Sequence, residues 1–413
     1  MKHLLQICGC VTTAARPMIF AAALALLGCL ATGRMTAPSC PSTAPQRPPA
    51  SQIGPFKNTG DPVEAEHYAY PVYSGDSRAF IARKYSEMRG WDTVRVWDIR
   101  TLKPSSQPLP QSGPDYGLTF DAKVAFTTDQ KDIRFWDVAT SKLRWAAKVT
   151  EGELEHAAIS ADGAQFLTIA EGEHAAEVWR TGETRPRLEL MHERLPIFAQ
   201  FDPTGRFIAT DDGWTFHLFS VETGREICPP IHYSSAVYND LTRSFDLAGD
   251  RILIEQQRGF TVVATATGKT LLDVTLGDPA SGIVTHNARW SADSKMIVVT
   301  AENDEFGPPH EPARIYDAAT GKLERTIGVG SNILECWVTP GARWALCLPE
   351  QPPVLQPLEV WDLQSGQRVQ TLDSNDVYVS PDASVVLTLG PRGLATVWRL
   401  RQDQPSSTRT VGR

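Results

Sequence analysis

The chain has 413 residues, 42% of them hydrophobic and 21% charged, with 48 acidic against 40 basic side chains and a formal net charge of −8. This is the composition of a protein that can bury a large core, not of one that stays disordered throughout. Basic residues occur only as scattered pairs, which counts against nucleic acid as the main partner, because a phosphate backbone is met by a positive stripe.

The first segment differs in kind from the rest. Lys2, His3 and Arg16 precede an apolar run from Met18 to Ala31. A bilayer-spanning helix needs about 20 apolar residues, so the run reads as a signal peptide over residues 1–28. Leu26-Leu27-Gly28-Cys29 resembles a bacterial lipobox, which implies a lipid-modified Cys29 at the start of the mature chain. On that resemblance the protein belongs to a bacterial cell envelope, held at the membrane by a lipid anchor and not by a spanning helix. An ordinary secreted chain or an uncleaved anchor is a second reading, and a chance apolar leader a third. Residues 29–61 carry Pro38, Pro41, Pro45, Pro48, Pro49 and Pro55 among Ser, Thr and Ala, a composition suited to an extended tether without a core.

From residue 62 to 401 one short phrase recurs eight times. The copies are VRVWDIRT (from Val94), IRFWDVATSK (from Ile133), AEVWRTGE (from Ala176), FHLFSVETGR (from Phe216), FTVVATATGK (from Phe260), ARIYDAATGK (from Ala313), LEVWDLQSGQ (from Leu358) and ATVWRL (from Ala395). Their bulky anchors are Trp97, Trp136, Trp179, Phe219, Val263, Tyr316, Trp361 and Trp398, spaced by 39, 43, 40, 44, 53, 45 and 37 residues. About 40–45 residues make one four-stranded blade of a β-propeller. Before each anchor lies a hairpin phrase, such as AAISADGAQFLTIA or FAQFDPTGRFIAT, in which apolar residues flank a Ser/Asp/Pro/Gly turn. The expected fold is therefore all-β: a propeller of four-stranded antiparallel blades, eight in number, or seven if the first unit is only a partial docking sheet. Residues 402–413 read as a disordered tail.

The phrases VWD, FWD, SPD and SADG resemble those of the WD40-repeat family in degenerate form. The Trp-Asp pair is complete at Trp97-Asp98, Trp136-Asp137 and Trp361-Asp362, with Tyr316-Asp317 close to it. A Gly-His-like pair survives only as Met191-His192, where His192 reads first as a side chain bonded within its blade. With so little of the family pattern kept, the buried hydrogen-bond network of typical blades is expected to be mostly missing, leaving apolar packing between sheets to hold the ring. Strands can be lettered a to d from the axis outward, with the anchor on d and strand a of the first blade drawn from residues around Val63 to Tyr70. The Ser/Asp turns are then b–c turns and the Thr-Gly turns d–a links, on one shared face. The insertion Ala301 to Pro312 falls in a c–d loop on the other face.

Cysteines and histidines offer little chemistry. Cys8 and Cys10 lie in the leader and Cys40 in the tether, and Cys228 has no obvious mate. Cys336 and Cys347 sit symmetrically about the Gly341-Ala342 turn and are a candidate disulfide, or else two small core residues. There is no Cys-x-x-Cys in the mature chain, no His-x-x-x-His and no Asp-x-Asp-x-Asp-Gly loop, so no metal or other cofactor is expected. Glu302, Asp304 and Glu305 read as a solvated loop before they read as a calcium site. No Gly-x-Ser-x-Gly elbow or phosphate-cradling loop appears, so no catalytic residue is assigned.

Three functions fit. The first is a non-catalytic scaffold that offers loop-lined faces to a protein or peptide, as the WD40 resemblance implies. The second is an envelope-assembly lipoprotein, similar in plan to the eight-bladed propeller of the outer-membrane assembly machinery. The third is an oxidoreductase. Asp137 to Trp145 resembles one tryptophan-docking motif of the pyrroloquinoline-quinone dehydrogenases, and Asp317 to Lys322 matches the first half of another, with Thr326 and Ile327 where its tryptophan would follow.

Overall fold

The computed structural model describes residues 55–58, 68–86, 90–149, 152–232, 245–276, 283–303, 311–349, 357–372, 376–389 and 395–401. The leader, Cys29, the tether as far as residue 54 and the 402–413 tail lie outside the described residues. What is described is all-β, with strands in eight antiparallel blades around one axis.

Each blade comprises the two strands of a Ser/Asp hairpin, then the anchor strand, then the strand that follows the Thr-Gly turn. We letter these a to d in chain order. Blade 3 shows the plan: Leu154–Ile159, Gln165–Ala170, Ala175–Arg180 and Leu188–Met191 pair in sequence order. The grouping differs by one strand from the one read off the sequence. A tight Thr-Gly turn joins antiparallel neighbours, so the strand after it must pair with the anchor strand and cannot open the next blade. Leu143–Lys148, for example, pairs with Asp132–Asp137, and its largely exposed side chains mark it as the outer strand of blade 2. In blade 5 the first position is a single bridge, Phe245 to Ile252.

The same shift decides how the ring closes. Blade 1 begins at Tyr68–Tyr73, so nothing earlier is needed to complete it. Among the described residues blade 8 has three strands in sequence, and its outer strand is Phe56–Asn58, antiparallel to Ala395–Leu400. Among the described residues, the first strand thus locks onto the last. Residues 56–58 belong to the propeller although composition groups them with the 29–61 tether.

Why these sequences turn where they do is visible at the hairpins. An oxygen-bearing side chain opens every a–b turn and accepts the N–H five residues on. Ser74, Thr119, Ser160, Asp202, Asp246, Ser291, Thr339 and Ser380 receive the N–H groups of Ala79, Val124, Gln165, Phe207, Arg251, Met296, Trp344 and Val385. The turn then needs a left-handed residue just before strand b. Ser77, Ala122, Gly163, Gly205, Gly249, Ser294, Ala342 and Ala383 fill this position, with φ from 51° to 74°. Two of the non-glycine residues there also tie adjacent blades: Ser77 Oγ accepts Asp382 N–H and Ser294 Oγ accepts Leu247 N–H. A bond of about 1 kcal/mol offsets a left-handed strain of similar size.

Eight apolar clusters lie in the eight gaps between neighbouring blades, including the gap between blades 8 and 1, where Val385, Leu387 and Val397 meet Phe80, Ala82 and Trp97. Every anchor sits on strand c and faces the preceding blade. Trp97, Trp179, Phe219, Val263 and Tyr316 are buried, whereas Trp136, Trp361 and Trp398 are only partly so.

The expected loss of the polar network has exceptions in three blades. Trp136, Trp179 and Trp398 donate their indole N–H to Thr127, Thr168 and Thr388 of strand b, at 2.9, 2.8 and 3.0 Å. The threonine stands two residues beyond the anchor's register partner on strand b, at the same point in all three blades. The 301–312 insertion also shrinks. Ala301 is buried and lies within Met296–Asn303, and Glu311 is buried against Arg314 at 2.7 Å. Only residues 304–310 of it lie outside the described residues. Its described flanks are the ends of strands b and c that lie opposite the hairpin turns.

Candidate interaction face

Two faces differ in character. The hairpin-turn face carries the a–b and c–d turns, and backbone hydrogen bonds link several adjacent blades there: Asp76 N–H to Phe120 O, Phe120 N–H to Ala161 O and Ala292 N–H to Val338 O. The loop face carries the b–c and d–a connections.

Charged side chains join blades near the axis. His156 in strand a of blade 3 sits between Asp115, 3.1 Å from its Nδ1, and the Ala199 carbonyl, 2.7 Å from its Nε2, and stacks on Phe198. Both partners accept, so both ring nitrogens must donate and the imidazole is held as a cation. Burial alone would lower its pKa, but the Asp115 carboxylate and the Ala199 carbonyl outweigh burial and raise it. Arg289 and Glu335 join blades 6 and 7 at 3.1 Å, both buried, with the Arg289 guanidinium over the Trp337 ring. Glu255 of blade 5 accepts the Ala288 N–H of blade 6 through Oε2, while its Oε1 has no partner. Burial pushes the Glu255 carboxyl up to about 8 against the pull of that N–H and of Arg289. These groups fasten blades together.

The loop face of blades 3 and 4 is built differently. Strand b of blade 4 ends in the turn Asp211-Asp212-Gly213-Trp214. Asp211 accepts Gly213 N–H at 2.6 Å, and Asp212 accepts the N–H groups of Trp214 and Thr215 at 2.9 and 2.7 Å. Gly213 takes φ 87°, a conformation that favours glycine, and the turn leaves Trp214 63% exposed. Ile197 lies under this turn, with its N–H on the Asp211 carbonyl and its Cδ1 3.7 Å from where a Gly213 Cβ would stand. Leu195 and Ile197 are each 44% exposed, and the Arg194 guanidinium lies 5.5 Å from the Trp214 ring centroid. Beside this patch, blade 3 presents Glu153, Glu155, Glu171 and Glu173, all exposed. Partial burial first, then Glu171 and Glu153, push the Glu155 carboxyl up.

His192, singled out from the sequence, lies beneath the patch. It is buried, edge-on to His217 at 4.6 Å and to Phe219 at 5.5 Å, and neither of its ring nitrogens has a partner. Burial, then His217, lowers its pKa to about 4, so it is neutral. It packs against the blade without bonding within it.

Cys336 and Cys347 are register partners on strands a and b of blade 7 and are joined as a disulfide, while Cys228 is free. Trp145, from the quinoprotein-like motif, packs between blades 2 and 3 against Phe135 and Phe166, at 5.5 and 5.6 Å. A shallow pocket of about 460 Å³ at blade 2 is lined by Ser112, Asp129, Gln130, Lys131, Asp132 and Lys148, and Arg134 holds both of its aspartates. Among the described residues no three His, Cys, Asp or Glu side chains converge as metal ligands, and no helix is long and apolar enough to cross a membrane.

No protein-family profile matches the chain, and no curated protein matches it by sequence. Solved structures do resemble it. A structure described as the eukaryotic initiation factor aligns at a TM-score of 0.52 and 14% identity, over 82% of this chain and 91% of that one. The β-propeller domain of Cps50 (Swd1) from Myceliophteria thermophila aligns at a TM-score of 0.46 and 12% identity, over 71% and 98%. At such identities the likeness concerns the fold alone.

Proposed function

We propose that this chain is a non-catalytic scaffold that binds a protein or peptide partner and is tethered to a bacterial envelope membrane by a lipid on Cys29. The observation that carries the first half is the loop-face patch. A ring braced at all eight blade interfaces still leaves Trp214, Leu195 and Ile197 in water, where their burial by a partner would gain about 25 cal/mol per Å². Tryptophan is among the residues most often dominant at protein interfaces.

The second half rests on the resemblance at Leu26 to Cys29, supported by where the tether joins the propeller. Phe56 pairs with Leu400, and Pro55 O accepts Arg401 N–H at 2.7 Å, so the preceding chain leaves from the hairpin-turn end of blade 8. Pro-rich linkers rise about 3.1 Å per residue, so a tether of this length would reach about 80 Å. The propeller would hang from its hairpin-turn side, with the patch on the far face. The eight-blade count also suits the envelope-assembly lipoprotein reading, which differs only in naming the partner's class.

Two measurements test the proposal. Labelled palmitate should enter the wild-type chain and not Cys29→Ser; equal labelling of both overturns the anchor. A pull-down from detergent-solubilised membranes should retain a partner. A chain that retains none overturns the scaffold, and turnover of a redox substrate with a bound cofactor would put the oxidoreductase reading in its place.

A further inference from the structure

Resting on the scaffold reading, we infer that the loop face at blades 3 and 4 is the docking surface, and that its partner is a protein segment carrying lysines or arginines next to an apolar side chain. The patch is contiguous. Arg194, Leu195 and Ile197 come from the link between strand d of blade 3 and strand a of blade 4, and Trp214 comes from the turn above Ile197. Blade 3's acidic rim adjoins it, because His156 on that blade bonds Ala199 of blade 4, placing Glu155 and Ile197 near one another on the same edge of adjacent strands.

Charge complementarity selects the occupant. None of Glu153, Glu155, Glu171 and Glu173 makes an ion pair among the described residues, and exposed Glu193 adds a further carboxylate to the same face. A second copy of this chain docked face to face would bring like charges together, and an anionic bilayer would be repelled. A cationic segment relieves the crowding of the carboxylates, and its apolar side chain covers Trp214. On the hairpin-turn face, exposed Phe120 is folded over Gly75 of the neighbouring turn and exposed Leu247 stands on a different turn, so these two side chains form no such patch.

The test uses fluorescence anisotropy on the full chain with a labelled peptide of four Lys-Lys-Leu repeats. Matched peptides replace every lysine with glutamate or every leucine with lysine. The Lys-Lys-Leu peptide should bind, and the glutamate peptide should not. Trp214→Ala and the double variant Glu155→Lys with Glu171→Lys should each weaken binding at least tenfold while melting like wild type. A double variant of equal charge change elsewhere, Glu222→Lys with Glu324→Lys, should bind as wild type does. The proposal is overturned if wild type ignores the peptide, if Trp214→Ala binds it equally, or if the remote double variant loses as much as the rim variant. In the membrane pull-down, a partner kept equally by wild type and Trp214→Ala overturns this surface while the scaffold stands. No partner on wild type overturns the scaffold itself.

Discussion

The most exacting structural prediction concerns Phe56, which the closure of the ring makes far more important than its place beside a tether suggests. Its side chain is 1% exposed and packs with Leu346, Leu358, Val360 and Val386 between blades 7 and 8. Its backbone is clamped by one side chain, since Gln370 Oε1 accepts Phe56 N–H at 2.9 Å and Gln370 Nε2 donates to Phe56 O at 2.8 Å. Phe56→Ala removes a fully buried ring and leaves a cavity, a loss of about 3–5 kcal/mol. Unfolding entropy near 2.1 cal/mol/K per residue, over the roughly 340 residues of the ring, amounts to about 0.7 kcal/mol/K. The melting temperature should therefore fall by about 4–7 °C, measured by calorimetry on the purified chain in a Cys29→Ser background. Gln370→Ala, which strands the clamped backbone groups, should cost about 1–3 kcal/mol by the same assay. A fall under 1 °C for Phe56→Ala would refute closure by the first strand.

Other outcomes follow from individual contacts. Glu255 keeps in the fold a proton that the unfolded chain releases near pH 4.5, so stability should decline as pH rises from there to about 8; Glu255→Gln should abolish that decline in a urea-melt series, and an unchanged pH slope would contradict the burial of this carboxyl. Trp179→Ala, at a buried anchor bonded to Thr168, should cost about 3–5 kcal/mol, and Trp136→Ala, at a partly buried one, less; denaturant midpoints in the reverse order would count against the inter-blade packing. Ser294→Ala loses the bond from Leu247 N–H but keeps φ at 56°, whereas Ser294→Gly loses the bond and relieves the strain, so Ala should be less stable than Gly by about 1 kcal/mol in thermal melts. Replacing residues 304–310 with a short Gly-Ser link should leave the melting temperature within about 2 °C, provided Ala301 and the Glu311–Arg314 pair are kept.

Much of the fold was legible because its unit is local. A hairpin phrase and an anchor phrase recur eight times, and each needs only its own turn residues to form. Grouping strands into blades was harder, since it depends on which strand the Thr-Gly turn hands on. The signal was there: a tight turn joins neighbours, and the strands after it, such as Leu143–Lys148, lack the apolar runs of inner strands. The closing strand was not legible, because Phe56–Asn58 is three residues with no period, and its role exists only once the ring is formed. Trp136, Trp179 and Trp398 announced their packing role, but the threonines that bond them pass for ordinary strand residues. Trp214 lies off the blade period, so the repeat carries no signal for it. The sequence Asp-Asp-Gly-Trp, a turn ending on an off-period tryptophan, was the available sign of an exposed ring.

What most needs measuring is the docking of another protein against Trp214. A photo-crosslinking amino acid placed at position 214, and separately at position 247 on the opposite face, should be irradiated in cells that make the full chain. The expected result is a discrete adduct from position 214, absent from position 247 and lost when Glu155 and Glu171 are changed to lysine. No adduct from 214, or the same adducts from both faces, would contradict it.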